Sequence, residues 1–199
     1  MRIKTLLAIG ALALCVCLGA TTAFAQNLVT NGSFETGDFT GWTLGGNNDG
    51  NTYVTSGAFY AYSGAEDGTF YAVFGSVGSD ITLSQTLSTV AGAQYTVSFW
   101  FASVGDSPSD FSASWDGTPL LSLSNPNTGA NWMQFTFQVT GTGSDTLTFA
   151  GRDDPEWMAL DNVSVTQNSG QSVPEPSSFL LLGTGVIGLG GVIRRKLHR

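Results

Sequence analysis

The chain has 199 residues, with 15 acidic and 7 basic side chains, one histidine and two cysteines. Hydrophobic residues make up 42%, charged residues only 11%, and 26 residues are glycine. That balance excludes a disordered chain and argues against a helix bundle rich in Lys, Glu and Arg, and the length allows one domain with terminal appendages.

The charges are unevenly placed. Residues 1–25 carry Arg2 and Lys4 and no acid. Residues 173–199 carry Arg194, Arg195, Lys196 and Arg199 against Glu175. The body between them holds fourteen acids and a single base, Arg152. Phosphate contacts are made by Lys and Arg, so this acidic body excludes nucleic-acid binding.

In chain order, residues 1–25 read as a secretory signal peptide. Arg2 and Lys4 open it, Leu6 to Ala20 is apolar, and Ala23-Phe24-Ala25 has the small-x-small cleavage pattern. The mature chain is expected to start at Gln26; a retained membrane helix is the other reading. Cys15 and Cys17 both lie in this segment, so the body has no thiol, disulfide or thiolate metal site.

Residues 26–168 are expected to form one all-β domain. Short alternating runs recur at Phe70 to Phe74, Asp80 to Leu87, Gln94 to Ala102, Phe111 to Asp116, Trp132 to Val139, Asp145 to Phe149 and Ala159 to Thr166. Clusters of Gly, Asn, Asp, Ser and Pro separate them, which is the punctuation of a β-sandwich. Asp116-Gly117 is a hairpin-turn signal. The two-residue period puts Tyr95, Val97, Phe99 and Phe101 on one core face, and Met133, Phe135, Phe137 and Val139 on another. Trp100 and Trp132 fall on the opposite, polar faces.

Residues 169–176 form a linker holding Val173-Pro174-Glu175-Pro176. Residues 177–193 carry no charge. As a helix they would span roughly 25 Å, close to the hydrocarbon core of a bilayer. A transmembrane helix is therefore expected there. The basic 194–199 tail, flanked by Arg194, Arg195 and Lys196, would stay cytoplasmic.

The Val-Pro-Glu-Pro, the apolar span and the basic end resemble the PEP-CTERM sorting signal of Gram-negative bacteria. That resemblance implies an exosortase, a membrane-embedded cysteine-type transpeptidase, as partner. It would cut near Pro174, Glu175 and Pro176 after transient residence in the inner membrane. The body would then be released or joined to the cell envelope, in bacteria that make exopolysaccharide. A second resemblance lies at the ends of the body. Asn27 to Glu35 with Gly41-Trp42, and Ala159 to Val165, are similar to the opening and closing strands of galactose-binding-like jelly rolls, a group that includes carbohydrate-binding modules. The expected fold is thus a jelly-roll β-sandwich flanked by a signal peptide and a C-terminal transmembrane helix.

Asp161 shares strand parity with Val163 and Val165, which places its carboxylate toward the core. A buried carboxylate needs a partner, and Arg152 is the body's only base. Three readings stay open: a structural calcium ion, hydrogen bonds from nearby backbone N–H groups, or a bulge that reverses the parity. The jelly-roll resemblance implies calcium, with Glu35 and Asp161 as ligands.

For glycan binding, Trp100 and Trp132 with Gln134 and Gln138 form one candidate stacking surface. Tyr53, Tyr60, Tyr62 and Trp157 form a second, on loops. The alternative is that these rings cover sheet faces beneath loops. Without a Cys in the body, and with the only histidine at His198, Ser-His-Asp, Cys-His and histidine-zinc chemistry is excluded. Acid clusters at Asp153, Asp154 and Glu156, and at Asp106, Asp110 and Asp116, leave a carboxylate glycoside hydrolase as a distant reading beside solvated or calcium loops. The leading expectation is a non-enzymatic exported matrix protein associating with exopolysaccharide or another glycan. A purely adhesive surface protein is the alternative.

Overall fold

The computed structural model describes residues 26–154 and 156–168. The signal peptide, the Pro174-Glu175-Pro176 motif, the apolar 177–193 segment, and Arg194, Arg195 and Lys196 lie outside the described residues.

Among the described residues ten strands form two antiparallel sheets. One is β1 (Thr43–Gly46), β4 (Ile81–Ser88), β9 (Ser144–Asp153), β6 (Ser109–Trp115) and β7 (Thr118–Ser124), in that spatial order. The other is β2 (Tyr53–Ser56), β3 (Phe70–Phe74), β10 (Met158–Gln167), β5 (Gln94–Ala102) and β8 (Met133–Thr140). Alternation drives the stacking. Tyr95, Val97, Phe99 and Phe101 of β5 are buried and face Leu147 and Phe149 of β9 and Phe111 of β6 across the sandwich. Phe101 and Phe111 rings lie 4.4 Å apart, and Phe99 meets Phe149 edge-on at 5.0 Å. Each such buried side chain contributes about 1.5–3 kcal/mol, so the core holds without disulfides. β8 is an edge strand, which leaves Phe135 and Phe137 half-buried and Met133 exposed, against the expectation that all four apolar residues there are core.

Asp116 and Gly117 both have positive φ (47° and 75°) and turn β6 into β7, as their sequence signals. The opening segment docks along β10. Leu28 donates its N–H to Val165 O (2.8 Å), and Val163 donates its N–H to Gly32 O (2.9 Å). Gly32 is required there, because a Cβ would stand 2.0 Å from Val163 O. β10 pairs with β3 only over Met158–Leu160, and the opening segment takes over the same side beyond the bulge.

That bulge overturns the parity expected for Asp161. On β10, Asp161 pairs with Trp100 but Ser164 pairs with Ser98, so β10 holds one extra residue, with Asn162 at φ 47°. Val163 and Val165 face the core, whereas Asp161 faces outward beside Trp100. It is nonetheless 0% exposed, because the 57–69 loop folds over that face.

Candidate functional site

The outer face of β3, β10, β5 and β8 carries the features expected of a binding surface. Half of it is roofed by the 57–69 loop, which buries a second aromatic cluster. Tyr62 is 2% exposed and donates its hydroxyl to Trp157 O. Burial pushes its phenol pKa far up. Tyr62 is thus a loop anchor and cannot stack on a ligand. Trp132 is half-buried, lies 5.8 Å edge-on to Tyr71, and donates Nε1–H to Gly64 O at 3.1 Å. Its indole holds the loop down.

The other half lies open. Trp100 is half-buried, with Gln134 and Asp161 as its cross-strand neighbours. Beside it run Ser98 and Ser164, whose hydroxyls are 2.8 Å apart. Thr96, Gln138 and Asn168 follow as a hydrogen-bonded triangle of 2.6–3.0 Å contacts. Gln134 and Gln138 are exposed. The structure therefore separates the two tryptophans that the sequence joins: Trp100 belongs to the open polar sheet, Trp132 to the roof.

The loop-borne aromatics form a group of their own. Phe59 meets Tyr53 at 5.9 Å and Trp157 at 5.2 Å, and Tyr60 meets Trp157 at 6.0 Å. Trp157 is half-buried and donates Nε1–H to Asn51 O at 3.0 Å. Tyr60, 51% exposed, is the group's free ring. A hydrogen bond to Glu156, together with partial desolvation, pushes its phenol up to about 12.

Glu35 and Asp161 grip one turn from both ends. Asp161 Oδ2 accepts the N–H groups of Glu66 (2.8 Å) and Asp67 (2.9 Å), and Oδ1 accepts that of Asn162 (2.7 Å). Glu35 Oε1 accepts from Thr69 (2.7 Å) and Phe70 (2.8 Å). The Glu35 carboxylate nests over Gly68, where a Cβ would approach it to 2.5 Å. Burial raises the Asp161 pKa to about 7, with the three amides pulling the other way. Backbone N–H groups are thus the partners this buried carboxylate has, the second of the readings left open by the sequence. Among the described residues no three carboxylate, imidazole or thiolate groups converge on one point, so an ion at Glu35 and Asp161 would need backbone carbonyls to complete its shell.

Arg152 is on the other sheet. Its Nε meets Asp110 Oδ2 at 3.0 Å, and its Nη1 stands 3.8 Å from Asp154 Oδ2. The sequence offers Asp153 as part of a solvated or calcium-binding acidic loop. β9 instead runs through it, and the two-residue period from Leu147 and Phe149 turns its side chain inward to 0% exposure.

Residues 172–196 match the PEP-CTERM protein-sorting motif. This chain carries that sorting signal. No curated protein matches the sequence. Among solved structures the body is similar to the carbohydrate-binding module TmCBM61 in complex with β-1,4-galactotriose, at TM-score 0.59 and 20% identity over 72% of this chain and 100% of that one. It is similar to the CBM22-1 xylan-binding domain of Paenibacillus barcinonensis Xyn10C, at TM-score 0.50 and 18% identity over 74% and 97%. The enzymatically active domain of bacteriophage CBA120 tailspike protein 4 gives TM-score 0.52 and 19% identity over 71% of this chain and 21% of that one. At these identities the likeness is one of fold, and the fold is the jelly-roll sandwich.

Proposed function

We propose that this is an exported, non-catalytic envelope protein whose jelly-roll body binds glycan and whose tail is processed by an exosortase near Pro174-Glu175-Pro176. The sorting motif at 172–196 supports the export route. The observation that carries glycan binding is the open outer sheet, where the half-buried Trp100 lies opposite Gln134 and on the same face as Ser98, with Thr96 and Gln138 farther along the strands. Sugars stack apolar faces on such rings and are oriented by such amides and hydroxyls. Tyr60 and Trp157 supply a second stacking position. The acidic body favours neutral glycans, or anionic exopolysaccharide only through a bridging cation.

A calcium ion at Glu35 and Asp161, with backbone carbonyls, would fasten the 66–70 turn that roofs the sheet. Its removal is expected to lower the melting temperature, as mass action requires. An unchanged temperature would remove the ion from the account.

Glycan-array binding of the wild type and Trp100→Ala tests the main reading. Loss of signal in the variant supports a glycan face. No glycan bound by the wild type favours an adhesive protein without a sugar site. Intact mass of the exported product tests processing: a species retaining Arg199 would refute it.

A further inference from the structure

We propose that Asp106 and Asp153 form a calcium site at one end of the sandwich, separate from Glu35 and Asp161. Both Asp153 oxygens are buried and meet no hydrogen-bond donor among the described residues, and the same holds for Asp106 Oδ2. The backbone fixes them in place. Asp153 pairs with Ser109 across β9 and β6, donates its N–H to Ser76 O (3.2 Å), and is followed by Asp154 N–H on Pro108 O (3.1 Å). The carbonyl of Asp106 is held by Ser109 Oγ at 2.6 Å.

Nearby donors are directed elsewhere. The buried hydroxyl of Ser76 goes to Asn47 O, that of Ser103 to Pro126 O, and that of Ser109 to Asp106 O. Arg152 alternates to the opposite face and is engaged with Asp110. Burial first, then Asp106, Glu156 and Asp154, push the Asp153 pKa up to about 7. Protonation alone does not satisfy the group, because a neutral carboxyl would still present an unpaired O–H and carbonyl. Leaving such groups buried and unpaired is destabilising.

Calcium accepts six to eight oxygens, from carboxylates, carbonyls, hydroxyls and water. Two carboxylates balance its charge. The site also lies beside the aromatic rim, since Glu156, one of the charges that raise the Asp153 pKa, immediately precedes Trp157. An ion here would tie that rim to the end of the core whether or not the rim binds sugar.

The full-length protein, stripped with EDTA and titrated with calcium at pH 8, tests this by calorimetry and thermal melting. Asp153→Asn removes one calcium per chain, and Asp106→Asn removes or weakens the same ion. Asp161→Asn leaves it in place and reports on the other site. In EDTA, Asp153→Asn melts above wild type, because an uncompensated buried charge is gone; with saturating calcium the order reverses. In an Asp161→Asn background, terbium emission sensitised by the nearby aromatic rings disappears when Asp153→Asn is added. Calcium stoichiometry unchanged in both the Asp153 and Asp106 variants overturns the proposal. So does an Asp153→Asn protein that melts above wild type with and without calcium. If the wild type binds one ion, its loss only in Asp161→Asn overturns this site and its loss only in Asp153→Asn removes the other.

Discussion

Asp153 and Asp161 are both fully buried, both lie on long strands, and both have a pKa raised to about 7. Their surroundings differ completely. Asp161 accepts three backbone N–H groups, and Asp153 accepts none among the described residues. The same carboxylate thus serves as a peg for a loop at one position and stands as an uncompensated charge at the other. Burial alone says little about a charged group; its hydrogen bonds decide whether it holds the fold together.

The largest expected effect is at the peg. Asp161→Ala strands the amides of Glu66, Asp67 and Asn162 and loosens the roof, at a cost on the order of 3 kcal/mol, read by urea unfolding. Asp153→Ala in EDTA at pH 8 should not show such a loss. Equal losses at both positions would erase the contrast.

Next comes the bulge that turns Asp161 outward. Gly32→Ala forces its Cβ onto Val163 O and is expected to cost about 1–3 kcal/mol, with exchange protection lost at Val163 and Asn162. A neutral substitution would mean that the opening segment does not lock the bulge.

The pH profile compares both aspartates at once. Each binds its proton more tightly folded than unfolded. The stability they contribute is complete below their unfolded pKa, near 4, and is lost as pH rises through about 7. Asp145 runs the other way: burial opposes ionisation, but hydrogen bonds from Thr89 and Thr142 bring its pKa down to about 2. Its contribution is present above pH 4 and lost toward pH 2. Melting temperature without divalent ions should therefore rise from pH 8 to about pH 5 and fall below about pH 4. Asp153→Asn should flatten the upper limb. A wild-type curve flat between pH 5 and 8 would contradict the raised values.

The smallest effect is at the roof's edge. Trp132→Phe keeps the ring against Tyr71 but loses the bond to Gly64 O, for about 1 kcal/mol by thermal melting.

The seven strands legible in the sequence are alternating or continuously apolar runs between turn clusters. β1, β2 and β7 escaped it for local reasons. Thr43–Gly46 ends in two glycines, Tyr53–Ser56 is four residues long, and Thr118–Ser124 contains Pro119 and sits opposite an irregularity at Ala113 and Ser114. For Asp161 strand parity points to the core, and the bulge that the sequence leaves open as an alternative is what the structure holds, since one inserted residue reverses parity without leaving a periodic trace. Trp100 was legible as an outward ring, since β5 is regular throughout. Tyr62 was not legible as an anchor, because a loop's fold-back depends on distant contacts with Ala102 and Trp157. The inward turn of Asp153 was available to parity, had the alternation from Leu147 been carried four residues past Phe149.

β10 runs through the middle of its sheet, and the sorting segment follows it in the chain. It is braced by β5 on one side and by β3 and the opening segment on the other. Tension applied through a tethered tail would therefore shear many backbone bonds simultaneously instead of peeling an outermost ribbon one link at a time. Were the tail joined to the envelope, the load would thus enter the body through its most heavily bonded ribbon.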